Sequence, residues 1–442
     1  SEECFKNYFD KNLIVAYLIG YPLEQDYLDY HNYKISSSED QIKAVIQFQS
    51  VGEGIKRERL KYWMYDGSGY SLQSIKKLSG TSVEIWAATS VAKAFDALQI
   101  PYNHTETGKP SFDKNFLSSH DSPLAQMVVK AREINKARTT FIDSILKHSH
   151  RGRIHAEIHQ MRSDQGGTVT GRFSYSNPNL QQIPARNAIL GPMIRSLFIP
   201  EKNCQWGIFD YSQQEPRLVV HYAALKTFFG AGKFVDAYQE EDSTDFHQLV
   251  ADMADIGRKQ AKTINLGLFY GMGKGKLMSQ LGVDLETASD LLTAYHQRVP
   301  FVKQLMNDTM NKAGKKGYLS TLLGRRCRFD LWEPSNEWGK KALPRKEAEN
   351  EYGEHILKRA WTYKALNRLI QGSAADQTKQ AMVSLHKEGY TAHIQVHDEL
   401  DFSVASEKDS ANIKEIMENC VELLVPSKVD VELGESWGDA GD

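Results

Sequence analysis

Two short acidic motifs, far apart in the sequence, carry the side chains with the clearest chemical potential. One is Asp210, which follows the apolar run 206–209. The other is Asp398, which lies between segments 391–396 and 400–404, in which apolar and polar residues alternate. Each pattern predicts a strand that presents a carboxylate at its end or turn. Two such carboxylates, brought together by the fold, could hold a pair of Mg²⁺ ions for an in-line phosphoryl transfer.

A predicted helix between these motifs carries cations on one face. Arg258, Lys262, Leu266 and Tyr270 recur every four residues, which places them on one inclined stripe. The two cations could bind phosphate oxygens, the apolar residue could contact a sugar, and the aromatic ring could stack on a base. An amphipathic helix with a core tyrosine is the simpler alternative, but a stripe of this mixed character fits a core poorly. The order of the parts predicts a nucleotidyl transferase.

A third group of candidates is rich in amide and guanidinium donors. Arg172, Asn179 and Gln181 lie in one turn-rich segment, and Asn367 and Gln371 lie four residues apart on a later predicted helix. Such donors could contact the minor-groove acceptors of base pairs with little dependence on sequence. For any one of these residues alone, a surface amide or turn residue is the simpler interpretation.

Length and composition describe an ordinary globular protein. The 442 residues exceed one hydrophobic core, so two or three subdomains are expected. The chain is 41% hydrophobic and 25% charged, and it contains no apolar run of transmembrane length and no secretory signal. The net charge is −2, yet Lys and Arg outnumber acids across residues 130–153, which could form a phosphate-binding face or a solvated surface.

The cysteines have no metal-type spacing, so we expect reduced thiols and no structural zinc. They are Cys4, Cys204, Cys327 and Cys420. Ser1 is not an initiator methionine, so we expect the chain to be processed or cut from a longer protein.

The pattern predicts helices in the first 150 residues and a mixture of strands, turns and helices after them. The later predictions are helices over 242–314, a hairpin over 318–329, an exposed charged loop or insertion over 333–358, a long helix over about 355–387, and the acidic hairpin over 391–404.

Five ordered motifs in this sequence resemble one known family. TGRFSYSNPNLQQIP, DYSQQEPR, RKQAKTINLGLFYG, QGSAAD and VHDEL are similar to the motifs of family A DNA polymerases, the bacterial DNA polymerase I group and its phage relatives. The resemblance covers roughly residues 86–442. It implies an α+β fold with a right-hand arrangement: a palm built on an antiparallel sheet, helical fingers and a helical thumb. The implied domains are an N-terminal helical segment (1–85), thumb (86–165), first part of the palm (166–240), fingers (241–345) and second part of the palm (346–442).

The resemblance also implies a role for each candidate. The expected catalytic residues are Asp210, Asp398, Lys262 and Glu399. Two Mg²⁺ ions, for which Mn²⁺ could substitute, would be bound by Asp210, Asp398 and the backbone carbonyl of Tyr211, with Glu399 in support. The expected nucleotide contacts are Arg258, Lys262, Leu266, Tyr270, Glu215, His247 and Gln213. The expected primer–template contacts are Arg172, Asn179, Gln181, Asn367, Gln371 and His397.

The implied reaction is primer extension by dNTPs. The primer 3′-oxygen would attack the α-phosphorus, one metal ion activating it and the other neutralising pyrophosphate. Lys262 would donate a proton to the pyrophosphate, and Glu215 would exclude a 2′-hydroxyl. Closure of the fingers over a paired base would assemble the site.

The sequence departs from the family pattern near three of these residues. Gln214 and Pro216 replace apolar residues, so the strand after Asp210 is expected to run differently. Leu266 replaces Phe or Tyr and offers no hydroxyl, so we expect poor acceptance of dideoxynucleotides. The spacing from His247 to the cation helix is also shorter than usual, which leaves its phosphate contact open.

Further expectations concern activities and partners. We find no Asp-x-Glu strand before the thumb-like region, so we expect no 3′→5′ exonuclease activity from this chain. We expect a monomer that binds primer–template DNA and dNTPs and no membrane. Its expected location is the cytoplasm, that of a bacterial host for a phage protein, or else an organelle.

Three other functions stay open at this point. A single-subunit RNA polymerase has a similar palm, but a bulky Glu215 would reject ribose. A non-catalytic DNA-binding subunit would not need the intact acids and cations. A metal-dependent nuclease would use paired carboxylates without the stripe from Arg258 to Tyr270.

Overall fold

The computed structural model describes residues 86–441, with gaps at 106, 123, 127, 130–131, 133–136, 151, 161–165, 186–189, 242, 270–271 and 338. The predicted helical segment 1–85, Cys4, Tyr270 and part of the basic run 130–153 therefore lie outside the described residues. The chain divides into two compact units, residues 1–155 with 183–199 and residues 156–182 with 200–442.

In its described part, the first unit contains short helices and two small antiparallel hairpins. Its helices are α1 (Ala88–Ala97), α2 (Lys114–Ser119), α3 (Asp143–His148) and α4 (Leu190–Arg195). Its strands are β1 (Asn103–His104), β2 (Pro110–Ser111), β3 (Ser149–His150) and β4 (Arg153–Ile154). Phe95 of α1 and Leu117 of α2 belong to one buried core. Asp113 caps α2 by accepting a hydrogen bond from the backbone N–H of Phe116 at 2.9 Å.

The second unit contains most of the helices and the largest sheet. Its helices are α5 (Gln214–Leu225), α6 (Ala231–Glu240), α7 (Phe246–Ala254), α8 (Arg258–Phe269), α9 (Lys274–Leu281), α10 (Leu285–Arg298), α11 (Pro300–Lys316), α12 (Arg345–Tyr352), α13 (Ala365–Lys387) and α14 (Glu407–Asn419). Its strands are β5 (Glu157–His159), β6 (Ser174–Ser176), β7 (Gln205–Tyr211), β8 (Tyr318–Ser320), β9 (Arg326–Arg328), β10 (Leu331–Pro334), β11 (Leu343–Pro344), β12 (Leu357–Arg359), β13 (Ile394–Val396), β14 (Glu399–Val404) and β15 (Val429–Gly434).

The central sheet of the second unit is antiparallel throughout and has the strand order β13-β14-β7-β15. Strand β7 pairs with β14 on one side and with β15 on the other. Phe209, Leu400 and Phe402 of this sheet share one buried core with Leu385 of α13 and Ile413 of α14. The mixture of segregated helices and an antiparallel sheet confirms the predicted α+β class.

The helical part of the second unit begins and ends its helices at residues suited to those positions. Asp245 and Asp284 cap α7 and α10 through side-chain hydrogen bonds to backbone N–H groups. Pro300 occupies the first turn of α11, where no intrahelical N–H bond is lost, and Gly317 ends that helix with φ of 77°. The helices predicted over 242–314 are therefore confirmed as α7 to α11.

Two sequence predictions are wrong in this part of the chain. Of the two alternatives for the charged segment 333–358, the loop is wrong, because β10 pairs with both β11 and β12, and α12 packs against this three-stranded sheet. The insertion stays a prediction. The long helix begins at Ala365 rather than near 355, because residues 357–359 are taken up by pairing with β10. The predicted hairpin over 318–329 is confirmed by the pairing of β8 with β9.

Within residues 86–441, gaps excepted, no helix is both long and apolar enough to cross a bilayer. The described cysteines Cys204, Cys327 and Cys420 are free thiols.

Candidate active site

The central sheet brings the two acidic motifs together. Asp210 lies near the end of β7 and pairs in register with Glu399, the first residue of β14. Asp398 precedes Glu399 in the tight turn, and its carbonyl accepts a hydrogen bond from the backbone N–H of Tyr211 at 3.4 Å. The predicted hairpin and the predicted strand are therefore neighbours in one sheet, with both carboxylates at the same end.

The site is strongly acidic. Burial raises the pKa of Asp210 to about 8, and the negative charges of Asp398 and Glu399 act in the same direction. Asp430, opposite Asp210 on β15, adds to this effect. Burial also raises the pKa of Asp398, whereas the positive charge of Arg172 opposes the shift.

The donor set fits a divalent cation with an open coordination sphere. Carboxylate oxygens are the ligands that Mg²⁺ prefers, and a cation beside Asp210 and Asp398 would offset their mutual repulsion. Among the described residues, no group of three or more His, Cys, Asp or Glu side chains is placed to hold a metal ion. Mg²⁺ usually keeps waters and substrate phosphates as ligands, so one or two carboxylates suffice.

Tyr211 and Glu399 contribute to the site in different ways. The Tyr211 side chain is buried away from the acids and donates a hydrogen bond from its hydroxyl to the carbonyl of Met417 at 2.7 Å. Only its backbone can therefore belong to a metal site. The Glu399 carboxylate accepts a hydrogen bond from the indole N–H of Trp437 at 3.2 Å.

A glutamine pair holds the turn that carries Asp398. His397 has φ of 60°, the left-handed region that few side chains adopt. The amide of Gln395 donates to the His397 carbonyl at 2.6 Å, and the amide of Gln181 donates to the side-chain oxygen of Gln395 at 3.0 Å. Gln181 thus lies beside the acidic turn. Gln395 was missed by sequence reasoning, although it stands three residues before Asp398.

Arg172 reaches the same end of the sheet. Its guanidinium donates to the Glu215 carboxylate at 2.7 Å, and both side chains are largely buried. Arg172 also acts electrostatically on His397 and Asp398, which places these four residues in one neighbourhood. Gly171, the preceding residue, has φ of 86°, so its left-handed backbone directs the chain toward Glu215.

The departures from the family pattern after Asp210 have a structural explanation. Strand β7 ends at Tyr211, Gln213 adopts a left-handed conformation, and α5 begins at Gln214. Pro216 lies in the first turn of that helix, where its missing N–H costs no intrahelical bond. The buried Gln214 amide donates hydrogen bonds to α13, including one to the Ala374 carbonyl at 3.3 Å.

Gln213 connects the acidic strand to α7. Its side-chain oxygen accepts from the backbone N–H of Phe246 at 2.8 Å, and its amide donates to the Thr244 carbonyl at 3.0 Å. Asp245, between these two residues, receives the Arg258 guanidinium, whose Nε lies 2.8 Å from the carboxylate. Gln213 and Arg258 therefore bind the same short segment.

The cation stripe of α8 is present in its described part. Arg258 and Lys262 are exposed, and Leu266 is half-buried. Ala261, Ile264 and Leu268 face the core of the second unit. Tyr270 lies outside the described residues.

His247 is held in the interior by a buried relay. Its Nδ1 lies 3.0 Å from the Asn265 amide nitrogen, and the Asn265 oxygen accepts a hydrogen bond from the Tyr295 hydroxyl at 2.5 Å. Burial lowers the pKa of His247 to about 4, and the nearby charges of Lys262 and Arg258 act in the same direction. The imidazole is therefore neutral at pH 7. Asn265 and Tyr295 were missed by sequence reasoning because both read as ordinary core-facing helix positions.

The remaining predicted DNA contacts are partly exposed. Asn367 and Gln371 lie one turn apart on α13, and Asn179 lies in the segment that leads to Gln181. The buried side-chain oxygen of Asn179 has no hydrogen-bond partner among the described residues. Asn179 follows a cis Asn177–Pro178 peptide bond.

Three comparisons place this chain among known proteins. The sequence model of DNA polymerase family A matches residues 70–439. A DNA-directed DNA polymerase of Pseudomonas phage M6 is 37% identical over 432 residues, which cover 86% of this chain and 62% of the relative. A thermostable DNA polymerase I of Thermus filiformis is 34% identical, over 78% of this chain and 40% of its own length. The chain therefore spans about three-fifths of the phage relative.

One solved structure has the same fold. The polymerase domain of Pol1 from M. smegmatis, in complex with a DNA primer-template and dNTP, superimposes with a TM-score of 0.67 and 27% sequence identity. The match covers 94% of this chain and 74% of that structure.

Proposed function

The chain belongs to DNA polymerase family A and has the right-hand polymerase fold, and we propose that it extends a DNA primer on a template with dNTPs. The observation that carries the proposal is the sheet register that pairs Asp210 with Glu399 and so places Asp398 beside Asp210. Release of pyrophosphate would accompany each addition.

Asp210 and Asp398, with the backbone carbonyl of Tyr211, would hold two Mg²⁺ ions. When bound, the two ions supply activation of the primer 3′-oxygen and neutralisation of the pyrophosphate. The raised pKa values of both carboxyl groups support this role, because they indicate incomplete hydration, which strengthens the attraction between a carboxylate and a cation. Glu399, tied to Trp437, would support the turn rather than bind metal.

Lys262 and Arg258 would bind the triphosphate from α8. Lys262 is exposed and would donate a proton to the departing pyrophosphate. Arg258 pairs with Asp245, so an incoming triphosphate would share or take over this guanidinium. His247 would present a neutral imidazole to the same phosphates, a hydrogen-bond donor rather than a charge.

Selection of the nucleotide would depend on the residues around Glu215. Arg172 fixes the Glu215 carboxylate, which would lie below the sugar and sterically exclude a 2′-hydroxyl. Gln213, in the adjacent turn, would contact the nucleotide as well. Leu266 would contact the sugar, and Tyr270 would stack near the template base.

The DNA would be held by donors that approach the acidic turn from two sides. Arg172, Asn179, Gln181 and His397 would contact the primer terminus, and Asn367 with Gln371 would contact the template on α13. The thumb would comprise 86–165, the palm 166–240 with 346–442, and the fingers 241–345. We propose a monomer without 3′→5′ exonuclease activity on this chain, acting in the bacterial cytoplasm if its origin is a phage.

Primer extension tests the proposal. A labelled primer–template with Mg²⁺ and dNTPs would be extended by the parent and not by Asp398→Ala. Asp430→Asn is the matched control, because it removes a neighbouring exposed acid that pairs with Asp210 but holds no metal in this scheme. Its activity should stay within a few-fold of the parent.

The other functions predict different outcomes of the same assay. Extension with NTPs at a rate similar to that with dNTPs would favour an RNA polymerase. Shortening of the primer would favour a nuclease. Tight DNA binding without any extension by the parent would contradict the proposal and favour a structural subunit.

A further inference from the structure

One exposed surface of the second unit has no part in the site described above. It consists of Trp361, Tyr363 and Lys364, which we name the aromatic platform. The two ring side chains are 37% and 44% exposed. The Lys364 ammonium lies 5.9 Å from the centre of the Trp361 ring and 5.5 Å from that of Tyr363. Exposed rings interleaved with a cation are the composition of surfaces that bind single-stranded nucleic acid.

The chain around the platform is positively charged. Residues 357–368 contain no Asp or Glu. Their cations are Lys358, Arg359, Lys364 and Arg368. Lys358 lies 3.6 Å from Glu333 and is partly neutralised, whereas Lys364 forms no ion pair within the described part of the chain. The charge of the platform therefore suits a polyanion.

The backbone holds the platform in a fixed and costly conformation. Trp361 has φ of 57°, a left-handed geometry that is unfavourable for a bulky residue. The backbone N–H of Ala360 donates to the Leu331 carbonyl at 2.8 Å, and that of Lys364 donates to the Trp361 carbonyl at 2.9 Å. These bonds fix both sides of Trp361. A strained residue held in place in this way indicates a functional role for its side chain.

The platform is continuous with the helix that supports the active site. It directly precedes α13. The Ala374 carbonyl of this helix accepts a hydrogen bond from the side-chain amide of Gln214, which lies shortly after the end of β7. Ala374 lies ten positions after Lys364, which corresponds to about 15 Å along a helix. A stacked single strand advances about 3.4 Å per nucleotide, so roughly four or five nucleotides would cover this distance.

We propose that the aromatic platform binds unpaired bases of the template strand ahead of the insertion site. The inference rests on the proposed polymerase function, because that function supplies a single-stranded template next to α13. Trp361 and Tyr363 would stack on bases, and Lys364 would contact a phosphate between them. Unpaired bases are the favoured ligand because their ring faces are accessible, whereas those of a duplex are already stacked on each other.

Binding measured by fluorescence anisotropy tests the platform without relying on catalysis. The three probes share one labelled hairpin primer–template and differ only in the length of the 5′ template overhang, which is one, four or eight nucleotides. The parent should bind the eight-nucleotide overhang about tenfold more tightly than the one-nucleotide overhang. The variant with both Trp361→Ala and Tyr363→Ala should bind all three probes with equal affinity. The conservative variant Trp361→Phe, in which Tyr363 is kept, should retain most of the affinity difference between the long and the short overhang.

Two control variants separate the platform from general effects. Phe229→Ala removes an exposed aromatic ring elsewhere and should leave the overhang dependence intact. Lys364→Ala should reduce the magnitude of the slope of log affinity against log salt concentration by about 0.7 for the long overhang. Lys340→Ala, which removes an exposed lysine paired with Glu337, should leave this slope unchanged.

The outcomes also distinguish the two proposals. The platform proposal would be overturned if the double variant lost as much affinity for the one-nucleotide probe as for the eight-nucleotide probe. It would also be overturned if the affinity of the double variant depended on overhang length as that of the parent does. If the parent fails to extend primers but shows the overhang dependence, the platform stands and the polymerase proposal fails.

Discussion

Burial and two neighbouring cations act on His247 in the same direction. They lower its pKa from the ordinary value near 6.5 to about 4, with burial as the largest cause and the Asp245 charge as the opposing one. The unfolded chain therefore binds a proton between these two pH values that the folded chain does not. Stability consequently falls as the pH drops from about 6.5 to 4.

We expect His247→Gln to reduce this sensitivity to acid. The parent should lose on the order of 3 kcal/mol of unfolding free energy through this one group between pH 7 and pH 4. The variant should lose less by about that amount, as measured by urea denaturation at the two pH values. His355→Gln, at an exposed position, is the control and should behave like the parent. Equal acid sensitivity in both variants would contradict the burial argument.

Leu266 provides a second test at the scale of single residues. Its side chain is half-buried on the cation stripe and has no hydroxyl to replace the missing 3′-hydroxyl of a dideoxynucleotide. We expect Leu266→Tyr to raise incorporation of ddNTPs relative to dNTPs about tenfold, the value of one good hydrogen bond.

Leu266→Phe is the matched control, because it adds the ring without the hydroxyl. Competition between ddNTP and dNTP at equal concentration measures the ratio. A similar gain in both variants would show that ring size, and not the hydroxyl, decides acceptance.

Arg325 joins three elements that together position Arg172. Its guanidinium donates to the Asp376 carboxylate of α13 at 3.0 Å, to the Thr170 carbonyl at 2.7 Å and to the Gly372 carbonyl at 2.9 Å. The hairpin of β8 and β9 is thereby fastened to α13 and to the segment before Arg172. With Arg325 held by these contacts, a side chain at Gly171 would collide with its guanidinium.

We therefore expect Gly171→Ala to be more damaging than its backbone geometry alone requires. A Cβ at this position would lie 2.7 Å from Cζ of Arg325. Gly324→Ala is a close control, since its φ of 85° matches the 86° of Gly171 and nothing lies within 4 Å of its added Cβ. The difference in unfolding free energy should be about 1.5–3 kcal/mol, the value of a hydrogen bond to a charged group.

Extension by Gly171→Ala should also slow, because Arg172 follows directly. Equal destabilisation by the two substitutions would show that Arg325 moves aside without loss.

The strands were predictable where their patterns are local. The alternation around Asp398 and the apolar run before Asp210 each predicted a strand with an acid at its end, and both are confirmed. The start of α13 was not predictable, because pairing of 357–359 with β10 overrides local helical pattern. Gln395 and Arg325 could not be identified either, since their importance comes from partners that are distant in sequence.

At the scale of the whole molecule, the clustered acids of the central sheet act against the folded state. The negative charges of Asp398 and Glu399 help to raise the pKa of Asp210, and like charges at short distance repel one another. A divalent cation that binds only the folded protein would offset this repulsion and add stability by mass action.

We expect millimolar Mg²⁺ or Mn²⁺ to raise the Tm of the parent by a few degrees in a thermal-shift measurement. Asp210→Asn and Asp398→Asn should each abolish most of this rise, whereas Asp430→Asn should retain it. Measurements at constant ionic strength exclude general salt effects. A rise of the same size in all four proteins would contradict a metal site at these two residues.

The position of β7 has a consequence for synthesis of the protein on the ribosome. Both strands that flank it in the sheet, β14 and β15, come from much later in the chain. At roughly 5–20 residues per second, the stretch of about 190 residues between Tyr211 and Glu399 takes on the order of 10–40 s to emerge. During that interval β7 has both of its edges unpaired, and unpaired strand edges promote association between nascent chains. The arrangement that unites the two acids therefore makes this segment a natural client for chaperones during translation.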